Sequence, residues 1–260
     1  MLILLSNDDG IMAPGLQSLR EALLEFAEIV VVAPDRERSA AGHSITVHYP
    51  IRVDEFCFTD GMGKGWVVDG TPADSVKLAI SALMTTPPDL VIAGINRGSN
   101  VGTDVLYSGT VSAAMEGTIL GIPSLAVSLS SYDTNADYSV AVDFTKRFCR
   151  LLQRGRLNPE MLLNINIPAV TKEMIQGILI TRLGVRRYVD VFSERKDPRG
   201  RTYYWLAGDI VDEDQAADTD VMALKNNYVS VTPIHYDLTD HALRAQLHQS
   251  FPSFERFWAD

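Results

Sequence analysis

Near its start the chain contains LILLSNDDG (residues 2–10), an apolar run that changes abruptly into polar and acidic residues. A short apolar run of this kind is typical of a parallel strand buried on both faces. Open α/β sheets bind their ligands just beyond the carboxyl ends of such strands, and Asp8 and Asp9 fall at that position. The stretch therefore predicts an α/β protein with two carboxylates at the functional edge of its sheet.

Adjacent carboxylates at a strand end are costly unless a positive group binds them. A hard divalent cation is a natural partner, because Mg²⁺ and Mn²⁺ take oxygen ligands and leave positions for water and phosphate. In the alternative, one aspartate caps the following helix and the other lies in solvent. Asp-Asp-Gly is also a common turn sequence, so this motif alone favours neither interpretation.

Strand-like and helix-like segments alternate over the first two thirds of the chain. The expected strands are Leu2–Leu5, Ile29–Ala33, Leu90–Ala93, Ser124–Ser128 and Leu162–Ile167, and the expected helices are Gly15–Phe26, Ala73–Met84, Thr110–Leu120 and Tyr138–Gln153. This alternation predicts a Rossmann-like, three-layer αβα core with a mostly parallel sheet over residues 1–184. Since no glycine-rich dinucleotide fingerprint follows the first strand, a nicotinamide cofactor is not expected.

Residues 185–260 show a different pattern and predict a β-hairpin arm, a returning strand and a terminal helix. The hairpin is expected from two β-rich runs around turn-forming residues, and the later elements follow it: Arg187–Ser193, Arg201–Ala207, Val229–Thr232 and Asp240–His248. A hairpin of this kind is marginal alone. Its aromatic side chains need a surface, which either the chain's own core or another subunit supplies.

Composition narrows the classes of function. The chain has 260 residues and a net charge of -10, which argues against a broad basic surface for nucleic acid polymers. No membrane partner is expected, and the predicted location is the cytoplasm, because no apolar segment reaches the length of a membrane span. Cys57 and Cys149 lack metal-site spacing and are expected to be inert thiols. The acidic segment Gly208–Asp220 is expected to be solvated.

Two more loops follow predicted strands. Arg38–Thr46 is rich in small and hydroxyl residues, as are both ordinary surface loops and loops that approach a ligand. Gly94–Thr110 passes through several glycines to a helix start, where Ser108 is a candidate N-cap. The first N–H groups of that helix would form an anion site, with a plain capped helix as the alternative. All three loops are expected to meet on one sheet edge.

The chain resembles the SurE (survival protein E) nucleotidases, a family of metal-dependent phosphomonoesterases. The resemblance runs nearly end to end and rests on Ser6–Gly10, on Ser39 with Gly42–Ser44, on Asp69–Asp74, on Gly94–Thr110 and on Val229–Pro233. It implies one divalent metal ion per subunit, held by Asp8, Asp9, Ser39 and Asn96. It implies a phosphate site at Ser108, Gly109 and Thr110. It also implies that the C-terminal hairpin exchanges between subunits.

The sequence thus predicts a cytoplasmic 5′-nucleotidase that hydrolyses nucleoside 5′-monophosphates, with 3′-monophosphates and short polyphosphate as further candidate substrates. A bound Mg²⁺ or Mn²⁺ would activate water, and Asp9 rather than Asp8 is expected to orient or deprotonate that water. A covalent aspartyl-phosphate route is less favoured. A homodimer or homotetramer is expected. Two alternatives stay open: a nucleotide-sugar-dependent transferase and a non-enzymatic nucleotide-binding regulatory module.

Two histidines have open roles. His43 is close to the proposed metal loop and is either a proton donor to a leaving oxygen or a loop histidine bound by backbone. His241 lies four residues after Asp237, so the two side chains would share a helix face. We favour a structural or hinge role for this pair over general acid catalysis.

Overall fold

The computed structural model of the protein describes residues 1–155, 158–189 and 192–251. The strands are β1 (Leu2–Ser6), β2 (Glu28–Pro34), β3 (Val53–Phe56), β4 (Lys64–Val68), β5 (Leu90–Arg97), β6 (Ser124–Ser130), β7 (Leu162–Pro168), β8 (Gly177–Ile180), β9 (Arg186–Val189), β10 (Phe192–Lys196), β11 (Thr202–Leu206), β12 (Asp209–Asp212) and β13 (Tyr228–Pro233). The α-helices are α1 (Pro14–Leu23), α2 (Pro72–Leu78), α3 (Gly109–Ile119), α4 (Ser139–Arg154), α5 (Asp220–Lys225) and α6 (His241–Ser250). Within these ranges, no helix has the length and apolar character needed to cross a membrane.

The core is a nine-stranded sheet in the order β3-β4-β2-β1-β5-β6-β7-β13-β8. Strands β4, β2, β1, β5, β6 and β7 run parallel, whereas β3 is antiparallel to β4 and β13 is antiparallel to β7. The predicted mostly parallel sheet is therefore confirmed. Strand β13, which belongs to the proposed C-terminal segment, lies inside this sheet between β7 and β8.

Helices cover both faces of the sheet. On one face α1 packs beside α4 and buries Leu16, Leu19 and Leu23, which repeat at the spacing of one helix face. On the other face α3 packs beside α2 and against β5 and β6, burying Val111 and Ala114. The predicted three-layer αβα core is confirmed.

The strand order reverses between β1 and β5. From β1 the chain builds outward through β2 and β4 on one side, and from β5 it builds through β6 and β7 on the other. In a doubly wound sheet this reversal opens a crevice at the carboxyl ends of the two central strands. The residues that follow β1, including Asp8, and the end of β5, including Asn96, meet at that crevice.

Strand β5 was predicted to end at Ala93 but continues to Arg97. Its pairing with β6 shifts register between Ala93 and Asn96. The shift brings Gly94, at φ 132°, so close to β6 that a Cβ there would lie 2.2 Å from the Val127 carbonyl oxygen. Only glycine permits this approach, and a bulge of this kind changes the direction in which the next side chains point.

Other elements also differ from the sequence prediction. The helix expected over Ala73–Met84 is α-helical only through α2 and continues as a π-helical turn over Ala79–Leu83. Strands β3, β4 and β8 were not predicted, because they are only four or five residues long.

The arm contains two antiparallel pairs of strands, one at its tip and one at its base. Strands β10 and β11 form the predicted hairpin around a turn that includes Asp197 and Gly200, and β9 pairs with β12 behind it. The expected hairpin is confirmed over its described residues, because the β9–β12 and β10–β11 pairs share one register, with Val189 opposite Asp209 and Phe192 opposite Leu206. Residues 190 and 191 of the predicted strand Arg187–Ser193 lie outside the described residues.

The acidic segment Gly208–Asp220 is exposed or half-buried through residue 218, as expected, and differs from the expectation only at its buried end. It contains β12, and it ends at Asp220, whose side chain is fully buried. The Asp220 carboxylate accepts hydrogen bonds from the backbone N–H groups of Gly102 and Gly184, both at 2.8 Å. These bonds compensate for the burial of a charged group.

Candidate active site

A cavity of about 800 Å³ opens at the carboxyl ends of β1 and β5. Among its lining residues are four that the sequence singled out: Asp8, Ser39, Asn96 and Ser108. Asp9 lines a smaller cavity of about 110 Å³, and Arg97 contributes to the walls of both. The three loops that follow parallel strands therefore meet on one sheet edge, as expected.

Asp8 is buried against the start of α3. Its Oδ1 accepts a hydrogen bond from the Thr110 hydroxyl. Gly109 packs directly on the same carboxyl group, so closely that a Cβ would lie 2.8 Å from Asp8 Oδ2. Burial raises the pKa of Asp8 to about 6, although the hydrogen bond from Thr110 acts in the opposite direction.

Asp9 is less buried and is held from the other side of the crevice. Its Oδ2 accepts the backbone N–H of Arg97 at 3.1 Å. Burial is the largest influence on this carboxyl group and raises its pKa, while the backbone and side chain of Arg97 lower it. Two partly desolvated carboxylates side by side favour the binding of a cation.

Asn96 and Ser39 contribute neutral oxygen atoms to the lining of the large cavity, which they share with Asp8. The Asn96 amide donates from Nδ2 to the Gly98 carbonyl at 2.8 Å, and its Oδ1 accepts no hydrogen bond from any described residue. The Ser39 hydroxyl donates to Glu37 Oε1 at 2.7 Å and keeps its oxygen lone pairs.

The donor chemistry of these four residues fits a hard divalent cation. Two carboxylates, one amide oxygen and one hydroxyl form an all-oxygen set of the type that Mg²⁺ and Mn²⁺ accept. Within residues 1–155, 158–189 and 192–251 no group of three or more His, Cys, Asp or Glu side chains is placed to hold a metal ion. A site here would therefore need the amide and hydroxyl oxygens as well.

Ser108 is the N-cap of α3, as predicted, and its Oγ accepts the backbone N–H of Val111 at 3.1 Å. Ser108 lines the large cavity, whereas Gly109 and Thr110 are buried behind it and line neither cavity. Of the three residues proposed for phosphate, one therefore faces the cavity, and the Thr110 side chain is engaged by Asp8.

Three tyrosines line the same cavity and were missed in the sequence. They are Tyr107, Tyr132 and Tyr188, the last of which reaches the cavity from β9 at the base of the arm. The Tyr188 hydroxyl donates to Asp104 at 2.8 Å, and burial together with this carboxylate raises its pKa to about 12. The sequence gives no local pattern that would place these tyrosines in one site, because they come from separate segments of the chain.

A buried amide network supports the loop after β5 and was also missed. The Asn100 side chain donates to Ser128 Oγ at 2.8 Å, and its backbone N–H donates to Asn166 Oδ1 at 2.8 Å. Asn164 and Asn166 in turn donate to the Asn100 carbonyl. These bonds fix the loop that forms one wall of the cavity, and Asn164 Oδ1 is the one buried side-chain atom of the network that no described residue hydrogen-bonds.

The histidines with open roles lie outside the walls of both cavities. His43 Nε2 lies 2.8 Å from the buried Glu116 carboxylate, whose other oxygen accepts a bond from Lys77 at 2.8 Å. His241, the first residue of α6, places its Nε2 2.8 Å from Oδ2 of Asp237, which precedes the helix, and both side chains are exposed. The geometry of the second pair is consistent with the favoured structural role.

Comparison with known proteins places this architecture in a family. A family model described as "Survival protein SurE" matches residues 3–190. The chain belongs to the SurE family. The resemblance inferred from the motifs is therefore confirmed, and the match includes every residue proposed for the metal and phosphate sites.

Individual SurE proteins are similar to this chain over nearly its whole length. The "5′-nucleotidase SurE" of Heliobacterium modesticaldum is 55% identical over 243 residues, which are 94% of this chain and 89% of that protein. The one from Syntrophomonas wolfei is 53% identical and covers 98% of this chain and 96% of its own. The crystal structure of the SurE protein from Aquifex aeolicus is 40% identical, with a TM-score of 0.82 over 96% of this chain and 99% of that chain.

Proposed function

We propose that this SurE-family chain is a metal-dependent phosphatase that hydrolyses nucleoside 5′-monophosphates to a nucleoside and phosphate. The observation that carries this proposal is the large cavity, which joins the oxygen donors Asp8, Ser39 and Asn96 to a capped helix start and to three tyrosines, with Asp9 in the adjoining smaller cavity. The relatives described as 5′-nucleotidases support the same activity. Nucleoside 3′-monophosphates and short polyphosphate are included as further substrates.

In this proposal Asp8, Asp9, Ser39 and Asn96 hold one Mg²⁺ or Mn²⁺ ion. When bound, the ion polarises a phosphoryl oxygen and lowers the pKa of water. Asp9 orients the attacking water and accepts its proton, because Arg97 occupies only one of its two carboxylate oxygens. Asp8 is less suited to this role, since Thr110 and Gly109 hold it against α3.

The substrate's phosphate is proposed to bind at the start of α3. Backbone N–H groups and the positive end of the helix dipole favour an anion there. Ser108 faces the cavity, whereas Gly109 and Thr110 contribute through their backbone and Thr110 orients Asp8 through its hydroxyl. As negative charge grows on the phosphoryl oxygens in the transition state, this helix end stabilises it.

Ser108→Ala tests the phosphate site. We expect kcat/KM for phosphate esters to fall about tenfold, the size of effect that one hydrogen bond to a charged group has. Inhibition by orthophosphate and by vanadate should weaken in parallel, while Mn²⁺ affinity stays unchanged. Calorimetry measures all three affinities, and the melting temperature reports the lost helix cap. Unchanged orthophosphate and vanadate affinity would place the anion site elsewhere.

The nucleoside is proposed to contact the tyrosines. Aromatic rings stack on any nucleobase, so Tyr107, Tyr132 and Tyr188 suit a nucleotide better than a small phosphate ester. The functional test is a phosphate-release screen of nucleoside monophosphates, p-nitrophenyl phosphate and short polyphosphate with Mg²⁺ or Mn²⁺. We expect chelation with EDTA to stop release, added metal to restore it, and nucleotides to give the higher kcat/KM.

Two results of that screen would contradict the proposal. Transfer of a sugar from a nucleotide sugar to an acceptor, without phosphate release from monophosphates, would favour the transferase. Nucleotide binding without any turnover in either metal would favour a regulatory binding module.

The proposal also includes assembly and location. A homodimer or homotetramer with an exchanged arm is supported by the exposed apolar side chains of β10 and β11. A cytoplasmic location is supported by two free cysteines, of which Cys57 is exposed and Cys149 is buried. Free thiols are typical of a reducing compartment.

A further inference from the structure

The charge of the large cavity is unfavourable for a phosphate group unless a cation faces it. Arg97 is the only lysine, arginine or histidine among the described residues that line this cavity, beside the carboxylates of Asp8 and Asp104. Asp104 is already neutralised, because it lies 3.2 Å from Arg186 and accepts the Tyr188 hydroxyl at 2.8 Å. Arg97 is therefore the side-chain cation that an entering phosphate meets.

Among the described residues, Arg97 has one ion-pair partner, which is distant, and its charge also acts through space on the Asp9 carboxylate. Its Nη2 lies 3.5 Å from Glu37 Oε2, beyond the 2.7 to 2.9 Å typical of charge-assisted hydrogen bonds. By contrast, Arg20 lies 2.9 Å from Asp60 and Arg186 lies 2.8 Å from Asp212. The Arg97 side chain is 32% exposed, and a partly solvated pair of this length is easily exchanged for a better one.

Glu37 is held in place independently of Arg97. Its Oε1 accepts the Ser39 hydroxyl at 2.7 Å, whereas the longer contact to Arg97 uses Oε2. Loss of the Arg97 contact therefore leaves the Ser39 bond intact. The backbone of Arg97 is also fixed, because its N–H donates to Asp9, so only the guanidinium needs to move.

We propose that Arg97 is a substrate-binding residue whose guanidinium leaves Glu37 and binds the phosphate group of the substrate. The inference rests on the proposed function, since it takes a phosphate ester as the substrate. A guanidinium presents two parallel N–H donors that match two phosphate oxygens. Glu37 competes with the phosphate for Arg97 and so sets the affinity of the cavity for anions.

The test measures the binding of orthophosphate to the Mn²⁺-loaded protein by calorimetry, a measurement that needs no turnover. Arg97→Ala should weaken orthophosphate binding about tenfold or more and raise KM for p-nitrophenyl phosphate by a similar factor. Arg97→Lys should recover part of the affinity, because lysine keeps the charge and loses the two-donor geometry. Arg36→Ala is the matched control: Arg36 is 68% exposed and should leave binding unchanged.

Glu37→Gln gives a prediction of opposite sign. The amide still accepts the Ser39 hydroxyl but no longer attracts Arg97 by charge, so orthophosphate should bind several-fold more tightly. This variant and Arg97→Lys keep the test decisive if Arg97→Ala does not fold. Unchanged orthophosphate affinity in both Arg97 variants, or weaker binding in Glu37→Gln, would overturn the inference.

Two further results distinguish this inference from a role of Arg97 at the metal site and from the proposed function itself. If Arg97→Ala lowers Mn²⁺ affinity enough to account for the whole loss, Arg97 acts on the metal site and the inference fails. If the unmodified protein binds orthophosphate through Arg97 but releases no phosphate from any ester, the inference stands and the proposed function fails.

Discussion

Asp8→Asn is expected to lower metal-dependent phosphate release by at least about a hundredfold, because the substitution removes the charge of a buried carboxylate from the proposed ligand set. Losing one partner of a buried charge pair costs a few kcal/mol, which corresponds to that factor. Asp9→Asn should have a similar effect. The measurements are phosphate release at saturating nucleotide and Mn²⁺ affinity by calorimetry.

Stability measurements separate this loss of function from unfolding. The pKa of Asp8 is raised by burial from its ordinary value of 3.8 to about 6, so at pH 8 the metal-free protein holds a charged carboxylate at a cost. A raised acid pKa stabilises the fold at low pH, and that stability is lost as pH rises through about 6. Asparagine removes the cost, which is at most about 3 kcal/mol.

In EDTA at pH 8 we therefore expect Asp8→Asn to melt at a higher temperature than the unmodified protein, with the difference shrinking toward pH 4. Asp54→Asn, an exposed carboxylate on β3, is the matched control and should change neither activity nor melting temperature. Retained metal-dependent activity in both Asp8→Asn and Asp9→Asn would contradict the proposed metal site.

The first strand and the acid pair were predictable because their signal is local. An apolar run with Asp8 and Asp9 directly after it defines both a buried parallel strand and its functional end. The end of β5 was not predictable in the same way. The strand continues to Arg97 only because Gly94 packs against the Val127 carbonyl on the neighbouring strand.

Contacts between distant parts of the chain explain the remaining differences. Thr110 and Asp8 are 102 positions apart, and no periodicity connects them, yet their side chains form a hydrogen bond. Asp220 lies at the end of an acidic stretch that predicts solvation, but two backbone amides, one of them 118 positions away, make its burial favourable. Local composition describes a residue's neighbours in sequence and not those in space.

The arm presents an apolar surface that the described part of the chain leaves exposed. In β11 the side chains alternate between the two faces of the hairpin, yet Trp205 is 58% exposed and Leu206 is 72% exposed. On the opposite strand Phe192, paired with Leu206, is 67% exposed. A two-stranded hairpin with apolar groups on both faces is marginal in water, and another subunit is the partner we propose.

The base of the arm contacts the core through ion pairs, whereas its tip does not depend on them, so the tip can be deleted while the base is kept. Strands β9 and β12 are tied to the core, since Arg186 bridges Asp104 at 3.2 Å and Asp212 at 2.8 Å. Removing the whole arm would break these contacts and destabilise the fold. Replacing only residues 191–207 with a short Gly-Ser linker removes β10 and β11 and keeps the β9–β12 pair.

We expect light scattering at micromolar concentration to give the intact protein a mass of at least twice 28.6 kDa, and the linker variant to be a folded monomer. Trp205→Lys should weaken the assembly without the deletion, because a charge then faces the apolar surface of the partner. Arg199→Glu, in the polar turn between β10 and β11, is the charge-change control and should leave the mass unchanged. A clean mass of 28.6 kDa for the intact protein would refute the exchanged arm and mean that the hairpin folds back on its own core.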